Sequence, residues 1–268
     1  MFKQRLIGAA AVALMCMWAQ HSIGNEDSSA NWKGFAALGT GIMPEYDGAE
    51  DNRALPFVFS RLSNGPYWVQ IQGQEFSANL VDDKRWRAGP VVQLRFGRDQ
   101  DAENDVVATL TEIDDSFEVG LFASYVIPGL ASQWDALVLR GEAVQDVTGG
   151  HNGALAELSA AYISPLSRSF RLTTAFAVSY ANDDYFDAYF SVNDEDSTRS
   201  GLSEFKAEAG LRDVRLSVTA NYAINDRWGL VSVLGVSRYL SDAVDSPIVT
   251  EQGLNQPGFA AFAVSYKL

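Results

Sequence analysis

Apolar and polar residues alternate one by one along most of the chain. In the clearest stretches, apolar side chains occupy every second position over residues 86–96, 117–127 and 170–180. A two-residue period places these side chains on one face of a β-strand. Such stretches match the roughly 9–11 residues that a tilted strand needs to cross a bilayer. Aromatic residues gather at their ends, as at membrane interfaces. The pattern predicts an all-β fold, a transmembrane antiparallel β-barrel. A soluble sandwich would share the alternation but not the aromatic girdles.

The last residues of the chain continue this alternation. Phe262, Val264, Tyr266 and Leu268 share one face of a strand. An open apolar edge invites aggregation, whereas the last strand of a closed barrel pairs with the first. This ending resembles the C-terminal signal of bacterial outer-membrane barrels, which the barrel-assembly machinery reads, although that signal usually ends in Phe. We expect the C-terminal strand to close the barrel and these four residues to form the assembly signal.

The predicted strand count depends on residues 205–222, where the apolar positions change from odd to even numbers. Either two strands meet near Arg212-Asp213, or one strand carries a β-bulge there. Bacterial single-chain barrels have an even number of strands, with short periplasmic turns and longer outer loops. A bulge gives twelve strands and a turn gives thirteen, so we predict twelve. This count places the long connections outside, over residues 41–52, 98–114, 182–202 and 241–256.

Residues 1–24 have the layout of a secretory signal peptide. Lys3 and Arg5 precede an apolar stretch over residues 6–18, which is shorter than the roughly 20 residues of a spanning helix. We expect cleavage after Gly24, export, and a barrel formed by residues 25–268. The single cysteine, Cys16, lies in the signal segment, so we expect neither disulfides nor thiolate metal sites.

The chain is strongly acidic. Without Lys3 and Arg5, 18 basic residues stand against 34 acidic ones, a formal charge of −16. This charge argues against nucleic acid as a partner. Many of the carboxylates crowd two outer loops, over residues 99–115 and 183–196. They could hold divalent cations shared with lipopolysaccharide phosphates, draw cations to a pore mouth, or form solvated, self-repelling loops. Their spacing matches no EF-hand, and we predict no dedicated metal site.

Polar residues on the inner faces of the predicted strands include both charges. We expect Arg85, Arg87, Arg95, Arg140 and Arg171 to face inward and to pair across neighbouring strands with Glu75, Glu118, Glu142 and Glu157. Twelve strands leave a lumen that such pairs could plug or that could carry small solutes.

Catalysis by a barrel lipase or acyltransferase would need a histidine base beside a serine nucleophile. Beyond the signal segment only His151 remains, within Thr148-Gly-Gly-His-Asn-Gly153. Ser159 is near in sequence but forms no recognisable motif with it. We interpret His151 as an exposed loop residue and expect a non-enzymatic protein with no catalytic residues and no cofactor.

Three short motifs follow one another through the mature chain. The first is Gly39-Thr-Gly41 followed by Pro44-Glu-Tyr-Asp-Gly48, and the second is Ser200-Gly-Leu-Ser-Glu-Phe205 leading to Ala209-Gly-Leu-Arg-Asp213. The third is Tyr239-Leu-Ser-Asp-Ala-Val-Asp-Ser-Pro-Ile-Val249. Together they resemble the MipA/OmpV family of outer-membrane barrels. The candidate binding residues in them are Pro44, Tyr46, Gly48, Ser200, Gly201, Asp245, Ser246 and Pro247. The alternative is that they only shape tight loops.

This resemblance implies a Gram-negative outer-membrane barrel, surrounded by outer-membrane lipid and lipopolysaccharide. The family's named member is a scaffold that bridges a murein-cleaving lytic transglycosylase and a murein synthase; others are described as surface antigens or stress-responsive porin-like proteins. Two functions stay open. One is a scaffold for a murein hydrolase or synthase complex, although the short periplasmic turns leave little surface for a partner. The other is a narrow porin-like channel for small solutes, which the acidic loops suggest are cationic.

Overall fold

The fold was analysed in a computed structural model that describes residues 32–268. The predicted signal peptide, residues 1–24, lies outside the described residues. Within them, twelve antiparallel strands close into a barrel in which β12 pairs with β1. This confirms the predicted fold class and the closing role of the C-terminal strand. The strands are β1 (Lys33–Pro44), β2 (Asn52–Asn64), β3 (Tyr67–Gln72), β4 (Glu75–Asn79), β5 (Trp86–Arg95), β6 (Ser116–Pro128), β7 (Ala136–Asp146), β8 (Ala154–Pro165), β9 (Phe170–Ala181), β10 (Gly210–Ala223), β11 (Trp228–Tyr239) and β12 (Gly258–Lys267).

The outer surface of the barrel is apolar, as a membrane requires. Leu38, Leu121, Leu158 and Leu234 are 67%, 69%, 67% and 62% exposed on four different strands. Such a continuous apolar surface is costly in water and favourable in lipid. Outward-facing aromatic rings also pair near one end, where Trp86 lies 4.9 Å from Tyr125 and Trp228 lies 4.9 Å from Tyr266 between ring centroids.

The β-bulge predicted near Arg212 is present in β10. The register against β9 shifts between Leu211 and Asp213, and Arg212 is the extra residue. The bulge explains why the apolar positions change parity without a turn, and the predicted count of twelve strands is correct.

The connections differ in length at the two ends of the barrel. Short turns over residues 65–66, 80–85, 129–135, 166–169 and 224–227 lie at one end. The other end carries the long connections over residues 96–115, 182–209 and 240–257, together with shorter ones over residues 45–51 and 147–153. The predicted long connection over residues 41–52 is one of the shorter ones, because β1 extends to Pro44. We assign the short-turn end to the periplasm. The long connections contain α1 (Asp183–Phe190), α2 (Asp194–Ser200), α3 (Ser241–Asp245), α4 (Pro247–Thr250) and a 3-10 turn (Val107–Thr109). None of the helices within residues 32–268 has the length and apolar character to cross a membrane.

Two strands are much shorter than the rest. β3 has 6 residues and β4 has 5, joined by Gly73 and Gln74. β2 has 13 residues, but it pairs with β3 only from Phe59 to Asn64. The barrel wall is therefore complete around its periplasmic half and interrupted between the outer parts of β2 and β5.

Candidate functional site

Helix α1 lies in an outer loop and carries a fully buried aromatic face. The Asn182 side chain caps the helix by accepting a hydrogen bond from the Tyr185 N–H at 3.3 Å. Asp183 and Asp184 lie in its first turn, where the helix dipole favours negative charge. The buried side chains, all with 0% exposure, are Tyr185, Phe186, Tyr189 and Phe190. Their spacing places them on one face of a helix, so this part of the acidic loop is an amphipathic helix rather than a solvated segment.

This helix covers the outer end of the lumen. The guanidinium of Arg95 on β5 lies 5.3 Å from the centre of the Tyr185 ring. The Tyr189 hydroxyl donates to the Phe96 carbonyl at 3.2 Å, and the Phe190 ring lies 5.6 Å from the ring of Tyr239 on β11. Because β5 and β11 lie on different sides of the barrel, α1 crosses between them. We call α1, α3 and α4 together the cap.

Residues of the third motif fasten α4 to α1. Ser246 is fully buried; its Oγ donates to the Phe190 carbonyl at 2.6 Å and accepts from the Ile248 N–H at 3.2 Å. Ser246 is thus the N-cap of α4, with Pro247 at the first helical position. Asp245 is the exposed last residue of α3.

Residues of the first motif meet the same helices. Gly48 has φ +101°, a left-handed conformation that favours glycine, and a Cβ there would lie 3.1 Å from Val249 Cγ2. Its N–H donates to the Tyr239 hydroxyl at 2.9 Å. Pro44 ends β1, and Tyr46 is buried in the next loop. Burial raises the pKa of the Tyr46 hydroxyl to about 12.

The first part of the second motif begins at the end of α2. The Ser200 Oγ donates to the Asp196 carbonyl at 2.6 Å, and Gly201 is the C-cap with φ +77°. The structure therefore brings the first and third motifs together at the cap, and it places residues 200–205 of the second motif at and after the end of α2 and residues 209–213 at the start of β10. In all three motifs the described contacts are those of loop architecture.

A buried ionic network joins the cap to the barrel wall. Arg212, at the bulge, donates to Asp47 at 3.2 Å and to Asp213 at 2.5 Å. The Tyr185 hydroxyl also donates to Asp47 and accepts from Arg212 at 2.9 Å. Burial raises the pKa of the Tyr185 hydroxyl well above its ordinary value, although Arg212 and Arg95 oppose the shift. Tyr185 thus remains a neutral donor that links an outer loop, the cap and β10.

His151 belongs to a second buried network, and the expectation that it is an exposed loop residue was wrong. It is 2% exposed, and its Nε2 lies 3.0 Å from Glu118 Oε1. The Gly153 N–H donates to His151 Nδ1 at 3.0 Å, so Nε2 carries the proton and donates to Glu118. Glu118 also accepts from Arg95 Nε at 2.7 Å. His151 is thus bonded to a carboxylate and a backbone amide, not to a serine.

Below the cap lies a chamber of about 830 Å³ inside the barrel. One wall, on β1, β2, β11 and β12, is apolar. Its side chains include Phe35, Phe57, Phe59, Val233, Phe259 and Ala261. The facing wall carries ion pairs: Arg140 with Glu75 at 2.9 Å and with Glu142, and Arg215 with Glu157.

The predicted lumen pairing is present in part. Arg95 on β5 pairs with Glu118 on the neighbouring β6, as predicted, whereas Arg140 on β7 pairs with Glu142 of its own strand and with Glu75 of β4, which is not a neighbouring strand. Among the described residues, Arg87 and Arg171 form no ion pair with a carboxylate. Glu157 pairs with Arg215 on β10, a partner that was not predicted. Arg85 does not face the lumen. It precedes β5, is exposed, and donates to the Tyr125 hydroxyl at 3.1 Å, because the strand begins one residue later than expected.

A second cavity of about 480 Å³ forms a vestibule at the periplasmic end. Phe35, Arg61, Arg171 and Asn221 line both cavities and therefore lie between the chamber and the vestibule. The basic side chains that line the vestibule are Lys33, Arg61, Arg168, Arg171, Arg227 and Lys267. Asp226 is the acidic residue among its lining. The vestibule is therefore strongly basic in a chain that is acidic as a whole.

The carboxylates of the outer loops form no metal centre in the part of the chain that is described. No group of three or more His, Cys, Asp or Glu side chains among residues 32–268 is placed to hold an ion. Asp196, for example, is buried and accepts hydrogen bonds from the Thr111 N–H at 2.8 Å and the Thr111 hydroxyl at 2.9 Å.

Comparison with known proteins identifies relatives of this barrel. The chain is 30% identical over 111 residues to the "Putative outer membrane protein YiaT" of Escherichia coli (strain K12). The match covers 41% of this chain and 44% of YiaT, so the chain spans less than half of that relative's length. The protein of the same name from Escherichia coli O157:H7 matches equally.

Solved structures with a similar fold include the NanC porin, at 10% identity and a TM-score of 0.46, covering 87% of this chain and 100% of that one. An outer membrane channel from Pseudomonas putida F1 matches at 10% identity and a TM-score of 0.45, covering 92% and 100%. Similarities this low carry no functional argument. The sequence model of the family described as MltA-interacting protein MipA matches residues 36–268, and this outer-membrane barrel therefore belongs to the MipA family.

Proposed function

We propose that this barrel is a narrow, non-enzymatic channel for small solutes, whose outer end is covered by the cap. The observation that carries this proposal is the position of the chamber next to a vestibule lined by six basic side chains and one acidic side chain, with four side chains lining both cavities. A cleft lined mainly by charges of one sign raises the local concentration of solutes of opposite charge. A barrel that serves only to hold partners has no need of such a lining.

The lining of the vestibule favours anions. The acidic outer loops suggested cationic solutes, but six basic side chains and one acidic side chain line the periplasmic mouth. The chamber itself is close to balanced, because its arginines are mostly paired with carboxylates. Selectivity therefore arises at the periplasmic mouth, where Arg61 and Arg171 line the passage between the two cavities.

Single-channel conductance of the refolded protein in a planar bilayer tests this proposal. We expect small steps with a preference for anions. The double variant Arg61→Gln/Arg171→Gln should lose most of that preference, because both side chains line the passage. Arg85→Gln is the matched control, since Arg85 lies at the same end but outside the lumen. A folded barrel that stays silent, or equal selectivity in the double variant, would contradict the proposal.

A second candidate function, a scaffold for a murein hydrolase or synthase, is favoured by the turn between β6 and β7. Trp134 and Leu130 in this turn are 73% and 55% exposed. The Asp135 carboxylate fixes the turn by accepting from the backbone N–H groups of Leu130 at 2.8 Å, Ala131 at 2.9 Å and Ser132 at 2.7 Å. An ordered turn with an exposed tryptophan is a suitable anchor for a protein partner.

A photo-crosslinker at Trp134 tests the scaffold with a purified lytic transglycosylase. The matched control is the same crosslinker at Gly65, in the shorter periplasmic turn between β2 and β3. Adducts from position 134 and not from position 65 would support the scaffold. Equal adducts from both positions, or none from either, would count against it.

A further inference from the structure

The interruption of the barrel wall between β2 and β5 forms a bounded window. At its lower edge, Gly73 in the β3–β4 turn donates to the Val58 carbonyl on β2 at 2.8 Å. On the other side, the Leu94 N–H on β5 donates to the Gln74 carbonyl at 3.1 Å. Above these two bonds, no strand of the described chain lies between β2 and β5. At the top, the Arg53 guanidinium lies 4.0 Å from the Phe96 ring centre and bridges the two sides.

Pro56 adapts the free edge of β2 to this position. In an antiparallel strand, alternate residues direct their N–H and C=O groups to the same neighbour. Val58 directs its carbonyl to the β3–β4 turn, so the nitrogen of Pro56 points into the window. Proline has no N–H to leave unpaired, and within sheets it is confined to edges and bulges. The sequence of β2 is therefore suited to a strand whose outer part has no partner.

The window connects the chamber with the lipid-facing surface. Its frame residues Pro56, Gly73, Gln74 and Leu94 also line the chamber. On the outer surface, the window is flanked by Ile42 on β1 and Phe76 on β4, both exposed apolar side chains. The window therefore lies between the chamber and the outer half of the membrane.

The chamber lining next to the window defines the chemistry of such a molecule. The inner face of β2 beside the window carries Leu55, Phe57 and Phe59, which continue the apolar wall of the chamber. The opposite wall carries the arginine ion pairs, and the passage below carries Arg61 and Arg171. The apolar wall suits a hydrocarbon body, and the arginines suit a negatively charged head group.

We propose that the window is a lateral portal through which an amphipathic anion passes between the chamber and the outer half of the membrane. The molecule has a carboxylate or phosphate head and an apolar body. For the direction of transport this inference rests on the proposed channel function. The portal itself is tested by access from the lipid phase, which requires no conductance.

The test uses a small fluorophore on a cysteine introduced at Phe57, inside the chamber beside the window. A second label, at Ala175 on the inner face of β9, serves as the distant chamber control. Vesicles containing the refolded residues 25–268 receive a nitroxide-labelled long-chain carboxylate that partitions into the bilayer. We expect the label at Phe57 to be quenched more strongly than the label at Ala175. Equal quenching at the two positions would overturn the portal.

Two rim variants show whether the quencher passes through the window. Leu94→Trp adds bulk at the rim and should remove the quenching at Phe57. Val92→Trp is the matched control, because Val92 lies two residues away where β5 is still paired with Phe76 of β4, and quenching should persist. Quenching that survives Leu94→Trp would overturn the portal. If the uncharged methyl ester of the probe quenched as strongly as the carboxylate, the proposal that the transported molecule is an anion would be wrong. A barrel that is silent in the bilayer but shows the expected quenching would remove the channel proposal and leave the portal.

Discussion

At the scale of single residues, Ser246 shows why a motif that resembles a binding site can instead hold the fold together. Its hydroxyl satisfies the Phe190 carbonyl and the Ile248 N–H, both inside the cap. A buried polar group left without a partner costs about 1–3 kcal/mol. The two hydrogen bonds of the Ser246 hydroxyl therefore stabilise the cap.

We predict that Ser246→Ala destabilises the cap by about 1–3 kcal/mol, because it leaves these two groups unsatisfied. The measurement is hydrogen exchange of the α1 amides, which should become faster. Asp245→Ala is the matched control, since the neighbouring side chain is exposed and should leave exchange unchanged. If hydrogen exchange of the α1 amides were unchanged in Ser246→Ala, the third motif would again be a candidate binding site.

His151 shows what sequence reasoning misses at this scale. The turn chemistry around Gly48, Gly201 and Ser246 is local, so glycine, serine and proline in these positions could be interpreted from the sequence. The burial of His151 depends on Glu118, 33 positions earlier in the chain, and on the cap helix above it. Alternation gives the face on which Glu118 lies but not which loop residue reaches it.

At the scale of elements, alternation predicted the strands well because each strand has one face in lipid and one in the lumen. The change of parity at Arg212 even predicted the bulge. The cap helix was missed, although its apolar positions at 185, 186, 189 and 190 have helical spacing, because the acidic residues around it favoured a solvated loop. The short β3 and β4 are among the twelve strands that were counted, but the interruption of the wall beside them depends on long-range register.

The turn between β6 and β7 should respond to acid. The Tyr162 hydroxyl, which donates to Asp135 at 2.6 Å, lowers the pKa of this carboxyl; burial opposes the shift, and three backbone N–H groups add to it. A lowered folded pKa means that the stabilisation is fully present above the ordinary aspartate pKa of about 3.9 and is lost as pH falls through the folded pKa. We predict that hydrogen exchange of the backbone amides of residues 130–132 becomes faster as pH falls through the folded pKa of Asp135. The comparison is made after correction for the pH dependence of the intrinsic exchange rate.

The β10–β11 turn provides the control for this pH dependence. It is fixed by the Asn225 side chain, which accepts from the Arg227 and Trp228 N–H groups at 2.9 Å each and does not titrate. Hydrogen exchange of the backbone amides in the β10–β11 turn should not change over the same pH range. Asp135→Asn should make the two turns alike. A pH response of the 130–132 amides that survives Asp135→Asn would show that another group holds the turn.

At the scale of the whole molecule, the barrel separates its charges by location. Acidic residues dominate the outer loops, ion pairs cross the chamber, and basic residues line the periplasmic vestibule. The acidic outer loops alone suggested cationic solutes. Composition could not give the vestibule, because Lys33, Arg61, Arg168 and Arg227 are far apart in sequence and meet only when β12 closes on β1.

If the cap closes the channel, weakening its attachment should open it. Arg212 is the side chain that bonds Asp47, Asp213 and Tyr185 at once. Removing one partner of a buried ionic network costs about 3–5 kcal/mol, since the remaining charges lose their compensation. We predict that Arg212→Ala gives larger or longer-lived conductance steps than the parent. Arg199→Ala is the control, because the Arg199 ion pair with Asp196 lies within α2 rather than between the cap and the wall.

A milder variant keeps this prediction open to refutation if Arg212→Ala does not fold. Tyr185→Phe removes the hydroxyl that links α1 to Asp47 and Arg212 but retains the buried ring. Loss of these bonds without loss of a charge costs about 1–3 kcal/mol, so the increase in open time should be smaller and in the same direction. If both variants fold and conduct as the parent does, the cap does not control the channel. The window between β2 and β5 would then be the remaining exit from the chamber toward the outer half of the membrane.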